Sequence, residues 1–139
     1  MYLLFCNRIN KVIINNDEIN YNFDTLSRLS SYNINNDYEV SYIYKDINEN
    51  KTSTVVDTLI TDNNTFTYTY DNLGNVTNIK RNNISTNNYY YNNLSELIKE
   101  DDLVNNITIE YTYDNGGNIL SKKYYTYNTT NLIDEINYT

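Results

Sequence analysis

Enzyme chemistry starts from nucleophiles, paired acids or metal ligands, and this sequence offers few of them. Adjacent carboxylates occur at Asp17-Glu18, Asp101-Asp102 and Asp134-Glu135. An acid pair that cleaves a bond needs both groups facing that bond, whereas neighbours on a strand point to opposite faces. These pairs read as solvated turn or surface charge. Asp24, Asp71 and Asp114 recur at equivalent places and raise the question of calcium. However, Asp71-Asn72-Leu73-Gly74-Asn75 lacks the alternate oxygen ligands and distal Glu of a calcium loop, so turn capping is the expected role. Gly116-Gly117-Asn118 is no phosphate cradle, because no Lys-Ser/Thr pair follows at the right distance. The chain has no histidine and one cysteine, Cys6, which removes Ser-His and Cys-His pairs, most zinc sites and any disulfide within the chain. Cys6 reads as a core or edge thiol. The expectation is a chain that is not an enzyme, with no catalytic residue, metal or cofactor.

The scaffold for these residues is unusual. The 139 residues suit one domain, and they include 29 Asn and 17 Tyr but no Pro, Trp, His, Ala or Gln. Ten basic against eighteen acidic residues give a net charge of −8, the wrong sign for nonspecific binding of nucleic acid or anionic membrane. The run Tyr2-Leu3-Leu4-Phe5-Cys6 falls far short of the ~20 residues of a spanning helix, and lacks the basic flank of a signal peptide. Neither nucleic acid nor membrane insertion is expected. A mean hydropathy of −0.68 leans toward disorder. Against that, β-forming residues alternate in Phe66-Thr67-Tyr68-Thr69-Tyr70 and in Ile107-Thr108-Ile109-Glu110-Tyr111-Thr112-Tyr113. Period two places the aromatic and aliphatic side chains on one strand face, and that face is expected to be buried. Breaks are expected at Asn15-Asn16-Asp17, Asn35-Asn36-Asp37, Asn63-Asn64, Asn82-Asn83, Asn87-Asn88 and Asn105-Asn106. The helix-like stretch Leu94 to Glu100 coincides with a repeat tail and reads as strand.

Repetition organises the chain. Aromatic pairs separated by one residue begin at Tyr21 (with Phe23), Tyr42 (with Tyr44), Tyr68 (with Tyr70), Tyr89 (with Tyr91) and Tyr111 (with Tyr113). Four of the five continue with an acid or amide, Asp24, Asp71, Asn92 and Asp114, and then with an apolar residue, Leu29, Val76, Leu97 and Ile119. Each such repeat predicts strand, turn and returning strand. Gly74 and Gly117 are placed for a left-handed residue in the turn, with Asn75 and Asn118 beginning the return. Ser27 and Ser95 stand where those glycines stand, so their turns are expected to be less ideal. The fold expected is all-β, with antiparallel strands in tandem hairpin-like repeats of about 21–26 residues and a curved sheet. Residues 1–20 form an N-terminal lead-in strand region and residues 21–139 the array, with a truncated sixth repeat opening at Tyr138.

Tyr68 to Val76 (Y-T-Y-D-N-L-G-N-V) and Tyr111 to Leu120 (Y-T-Y-D-N-G-G-N-I-L) resemble the YD repeats of the Rhs family, and Tyr21 to Leu29 and Tyr89 to Asp101 resemble its degenerate members. The resemblance implies strands coiling into a hollow shell around a C-terminal toxin or effector, in a secreted or cell-surface bacterial protein. Five repeats are fewer than such shells contain, and the family's Pro-containing core signature is absent, so the chain reads as a fragment or a short orphan reading frame. The partners this implies are the remainder of a larger repeat shell and an enclosed toxin polypeptide. An alternative is a surface module that binds carbohydrate or cell-wall polysaccharide through exposed tyrosine ladders.

Overall fold

A computed structural model describes residues 8–48 and 51–138. Cys6 and the apolar run before it lie outside the described residues, as does Thr139. The chain divides into two compact parts, residues 1–65 and 66–139. The first holds β1 (Lys11–Ile14), β2 (Asp17–Phe23), β3 (Leu29–Ile34), β4 (Tyr38–Asn48) and β5 (Lys51–Thr61). The second holds β6 (Thr65–Tyr70) apart from its first residue, β7 (Val76–Arg81), β8 (Ile84–Tyr91), β9 (Leu97–Asp102), β10 (Ile107–Tyr113), β11 (Ile119–Thr126) and β12 (Leu132–Asn137). Within each part every strand pairs antiparallel with its neighbours in sequence, and the described residues contain no helix. The architecture is all-β, as the alternation requires.

Asparagine makes most of the sharp hairpin ends. Asn35 and Asn36 turn β3 into β4 with φ of 54° and 59°, and Asn82 and Asn83 turn β7 into β8 with φ of 51° and 68°. Two consecutive left-handed residues match the right-handed twist of the flanking strands, and Asn tolerates that region better than other residues with a Cβ. The β1–β2 and β9–β10 connections each use a single left-handed asparagine, Asn15 and Asn106, with φ of 56° and 58°.

Two expectations need correction. Asn87-Asn88 is not a break but lies inside β8. There the Asn87 amide donates to Glu100 Oε1 at 3.2 Å, and Asn88 Oδ1 accepts from the Asn78 amide at 2.8 Å. Strand β2 runs through residues 20 and 21, and the turn at Asn15 folds residues 11–23 into one hairpin. The tyrosine face, second, is half-buried rather than buried. Val40 is the one buried apolar residue among those described, and no large side chain there is fully covered. A single sheet layer has no second layer to pack against, so its apolar face is shielded only by neighbouring side chains. The stretch after Tyr44 also differs from its fellows: β4 runs on to Asn48 and pairs with β5 through three irregularities instead of turning at Lys45.

Candidate functional site

The repeat motif resolves into one turn built four times. Its first residue, Asp24, Asp71, Asn92 or Asp114, donates its amide to the carbonyl four residues on, at 2.9, 3.0, 3.0 and 2.9 Å. Its own carbonyl accepts the amide of Ser27, Gly74, Ser95 or Gly117, at 2.9, 3.2, 3.0 and 3.1 Å. Those four residues all have positive φ, 72° and 61° for the serines and 89° and 81° for the glycines. The serine turns thus keep the same frame, with the left-handed strain carried by an L residue. One oxygen of the leading side chain accepts two further amides, for example Leu73 and Asn75 on Asp71 Oδ1, both at 2.9 Å.

The remaining atom of the leading side chain meets the residue four positions later, and here the sequence compensates. Asp71 Oδ2 accepts from the Asn75 amide at 2.9 Å, Asp114 Oδ2 from the Asn118 amide at 3.0 Å, and Asp24 Oδ2 from Arg28 Nε at 2.6 Å. Where an amide leads, the polarity reverses: Asn92 Nδ2 donates to Glu96 Oε2 at 2.6 Å. An acid faces a donor, and an amide faces an acid. Asn75 hydrogen bonds hold the Asp71 carboxyl below its usual range, and Asn118 does the same for Asp114. At Asp24 partial desolvation pulls upward, but bonds from Arg28 outweigh it and lower the pKa. Arg28 and Glu96 belong to the motif and were missed. The signal that reveals them is the charge at the fifth turn position, read against the first.

The tyrosines do a second job. After each turn the strands shift register, so that Phe23 opposes Leu29, Tyr70 opposes Val76, Tyr91 opposes Leu97 and Tyr113 opposes Ile119. The second tyrosine of a repeat then reaches back to the preceding one. Tyr44 Oη donates to the Leu29 carbonyl at 2.8 Å, Tyr91 to Val76 at 2.9 Å and Tyr113 to Leu97 at 2.7 Å. The acceptors occupy equivalent positions in their repeats. First-position tyrosines make cross-strand pairs: Tyr21 faces Tyr32 with centroids 6.3 Å apart, Tyr42 faces Leu59, Tyr68 faces Ile79, Tyr89 faces Glu100, and Tyr111 faces Lys122. Burial, together with the nearby Glu100 carboxylate that accepts from its hydroxyl at 3.4 Å, pushes Tyr111 up to about 12.

The opposite face carries a feature the tyrosine pattern does not announce. Asp101, read from the sequence as surface charge, is only 3% exposed. Its Oδ1 accepts from Thr108 Oγ1 at 2.7 Å and faces Lys99 Nζ at 3.3 Å, while Oδ2 accepts from Tyr90 Oη at 3.1 Å. Lys99 Nζ also lies 4.8 Å from the centre of the Tyr90 ring. Its neighbour Asp102 points the other way and caps the β9–β10 turn through the amides of Val104 and Asn105, both at 3.0 Å. Above Asp101 lies an open groove of about 780 Å³, walled by Tyr90 on one side and Tyr125 and Tyr127 on the other.

No family model matches the chain, and no curated protein matches it. Solved structures do. The crystal structure of TcdB2-TccC3-Cdc42 shares the fold with a TM-score of 0.66 at 19% identity, over 92% of this chain and 8% of that one. The TcdB2-TccC3-TEV structure gives 0.65 at 19%, over 85% and 7%. A Photorhabdus luminescens Tc holotoxin pore carrying a TccC3 mutation gives 0.58 at 17%, over 88% and 8%. The common property is the fold. This chain spans less than a tenth of each of those chains.

Proposed function

We propose that the chain is a non-catalytic stretch of YD-repeat wall, part of a larger secreted or cell-surface bacterial shell that encloses or displays a toxin polypeptide. The observation that carries this reading is the backward tyrosine tie. Each tie joins one repeat to the repeat before it, which suits a wall extended by addition of like units. The likeness to segments of Tc toxin chains supports the same reading. A sugar platform made of the tyrosine ladders fits less well. The hydroxyls of Tyr44, Tyr91 and Tyr113 are spent on carbonyls, and the Tyr44 ring is covered by Arg28 at 4.0 Å.

The test is solution mass by light scattering coupled to size exclusion, with circular dichroism on the same sample. A wall segment presents unpaired strand edges, so β-rich material whose mass grows with concentration is the expected result. A β-rich monomer at every concentration would count against the wall reading.

A further inference from the structure

We infer that the groove over Asp101 is a binding site for a cationic side chain, arginine or lysine, presented by an extended basic polypeptide. Its volume of about 780 Å³ lies in the range of built ligand sites. The floor is satisfied internally: Thr108, Lys99 and Tyr90 between them occupy both oxygens of Asp101. The floor therefore shapes the groove without needing a ligand to complete it. The groups that remain available stand above it. Glu110, on the strand beside Lys99, is exposed and makes no ion pair or hydrogen bond among the described residues. Tyr125 and Tyr127 offer ring faces and hydroxyls along the other wall.

The charge of this site selects the ligand. Asp101 neutralises Lys99, and Lys123, directly opposite Glu110 on β11, is neutralised by Glu135 at 3.7 Å. Glu110 is left as the net charge of the groove, on a chain whose total is −8. An anion is repelled and a cation is drawn in. The walls suit the same class, because a cation over a tyrosine face is attracted to the ring. The protein already makes this contact with its own residues at Lys99 and Tyr90.

The test uses the full chain and a fluorescently labelled tetra-arginine peptide, followed by anisotropy at low and moderate salt. Glu110→Gln is nearly isosteric and exposed, and is expected to weaken binding about five-fold or more, with Tyr127→Ala giving a similar loss. Glu39→Gln removes the same unit of charge from the first part of the chain, on an exposed residue outside the groove, and is expected to change affinity less than two-fold. Circular dichroism checks each variant, and Glu110→Gln decides the matter if Tyr127→Ala does not fold. Equal losses from Glu110→Gln and Glu39→Gln would mean bulk charge alone and overturn the site. So would peptide binding that ignores both groove variants, or capture of a neutral chitotetraose in the groove in place of the peptide.

Discussion

The turn at Asn92 allows the pairing rule to be reversed on purpose. Asn92→Asp retains the oxygen that accepts the Leu94 and Glu96 amides, but replaces a donor 2.6 Å from Glu96 Oε2 with a second anion. The side chains would swing apart to about 4–5 Å, where two carboxylates in water-like surroundings repel by about 0.8–1 kcal/mol. Loss of the hydrogen bond adds about 0.5–1 kcal/mol, for a total of about 1.3–2 kcal/mol. For a chain of this size that lowers Tm by about 5–8 °C. Glu96→Asn alone leaves two amides able to pair and should cost about 2 °C. The double variant Asn92→Asp/Glu96→Asn recreates the arrangement of Asp71 with Asn75, and should melt within about 2 °C of the parent. Thermal melts followed by circular dichroism measure all four proteins, and added salt should shrink the deficit of Asn92→Asp alone. A double variant as unstable as Asn92→Asp would refute the idea that complementarity across the turn governs these positions.

Gly74→Val should destabilise by about 1 kcal/mol or more, because φ is +89° and an added Cβ meets nothing within 4 Å, which makes the cost conformational rather than steric. Ser27→Gly, at φ 72°, should leave Tm unchanged or raise it slightly; a clear drop would show that Ser27 is not strained. Tyr113→Phe deletes the 2.7 Å tie to Leu97 and should cost about 1 kcal/mol in a denaturant titration. Tyr124→Phe, whose hydroxyl makes no hydrogen bond among the described residues, should be neutral. Stability should decline at both ends of the pH scale. The folded pKa values of Asp24, Asp71 and Asp114 lie below the unfolded 3.8, so their contribution is complete above that value and is lost as pH falls through the folded values. For Tyr111 the folded value, about 12, lies above the unfolded 10, so its contribution is complete below pH 10 and lost as pH rises toward 12. Phenolate absorbance should show Tyr111 titrating late, and ordinary titration of every tyrosine would contradict that environment.

Local rules made the strands and turns legible. Alternation over Ile107 to Tyr113 and the spacing of Asp71 from Gly74 are properties of short segments, and short-range sterics settles them. What escaped depends on residues far apart in sequence. Asn87-Asn88 can end a strand or join a ladder, and only the arrival of Glu100 and Asn78 decides for the ladder. Asp101 looks like surface charge beside Asp102, until strand pairing brings Tyr90 and Thr108 over it. The depth of burial was misjudged because alternation reports which side chains share a face, not whether a second layer covers that face. The partners Arg28 and Glu96 were visible in principle. They vary in chemistry while preserving complementarity, so a search for identical residues passes over them.

The backward tyrosine ties also give the chain a direction of assembly. A repeat's second tyrosine finds its acceptor on a strand already synthesised, as Tyr91 does at Val76 and Tyr113 at Leu97. No repeat has to wait for a later one to supply that bond. With the ribosome adding about 5–20 residues each second, a repeat of this length emerges roughly every few seconds, far slower than a hairpin closes. Each new hairpin therefore meets a finished template, and the growing end is the edge that keeps changing while the chain is being made.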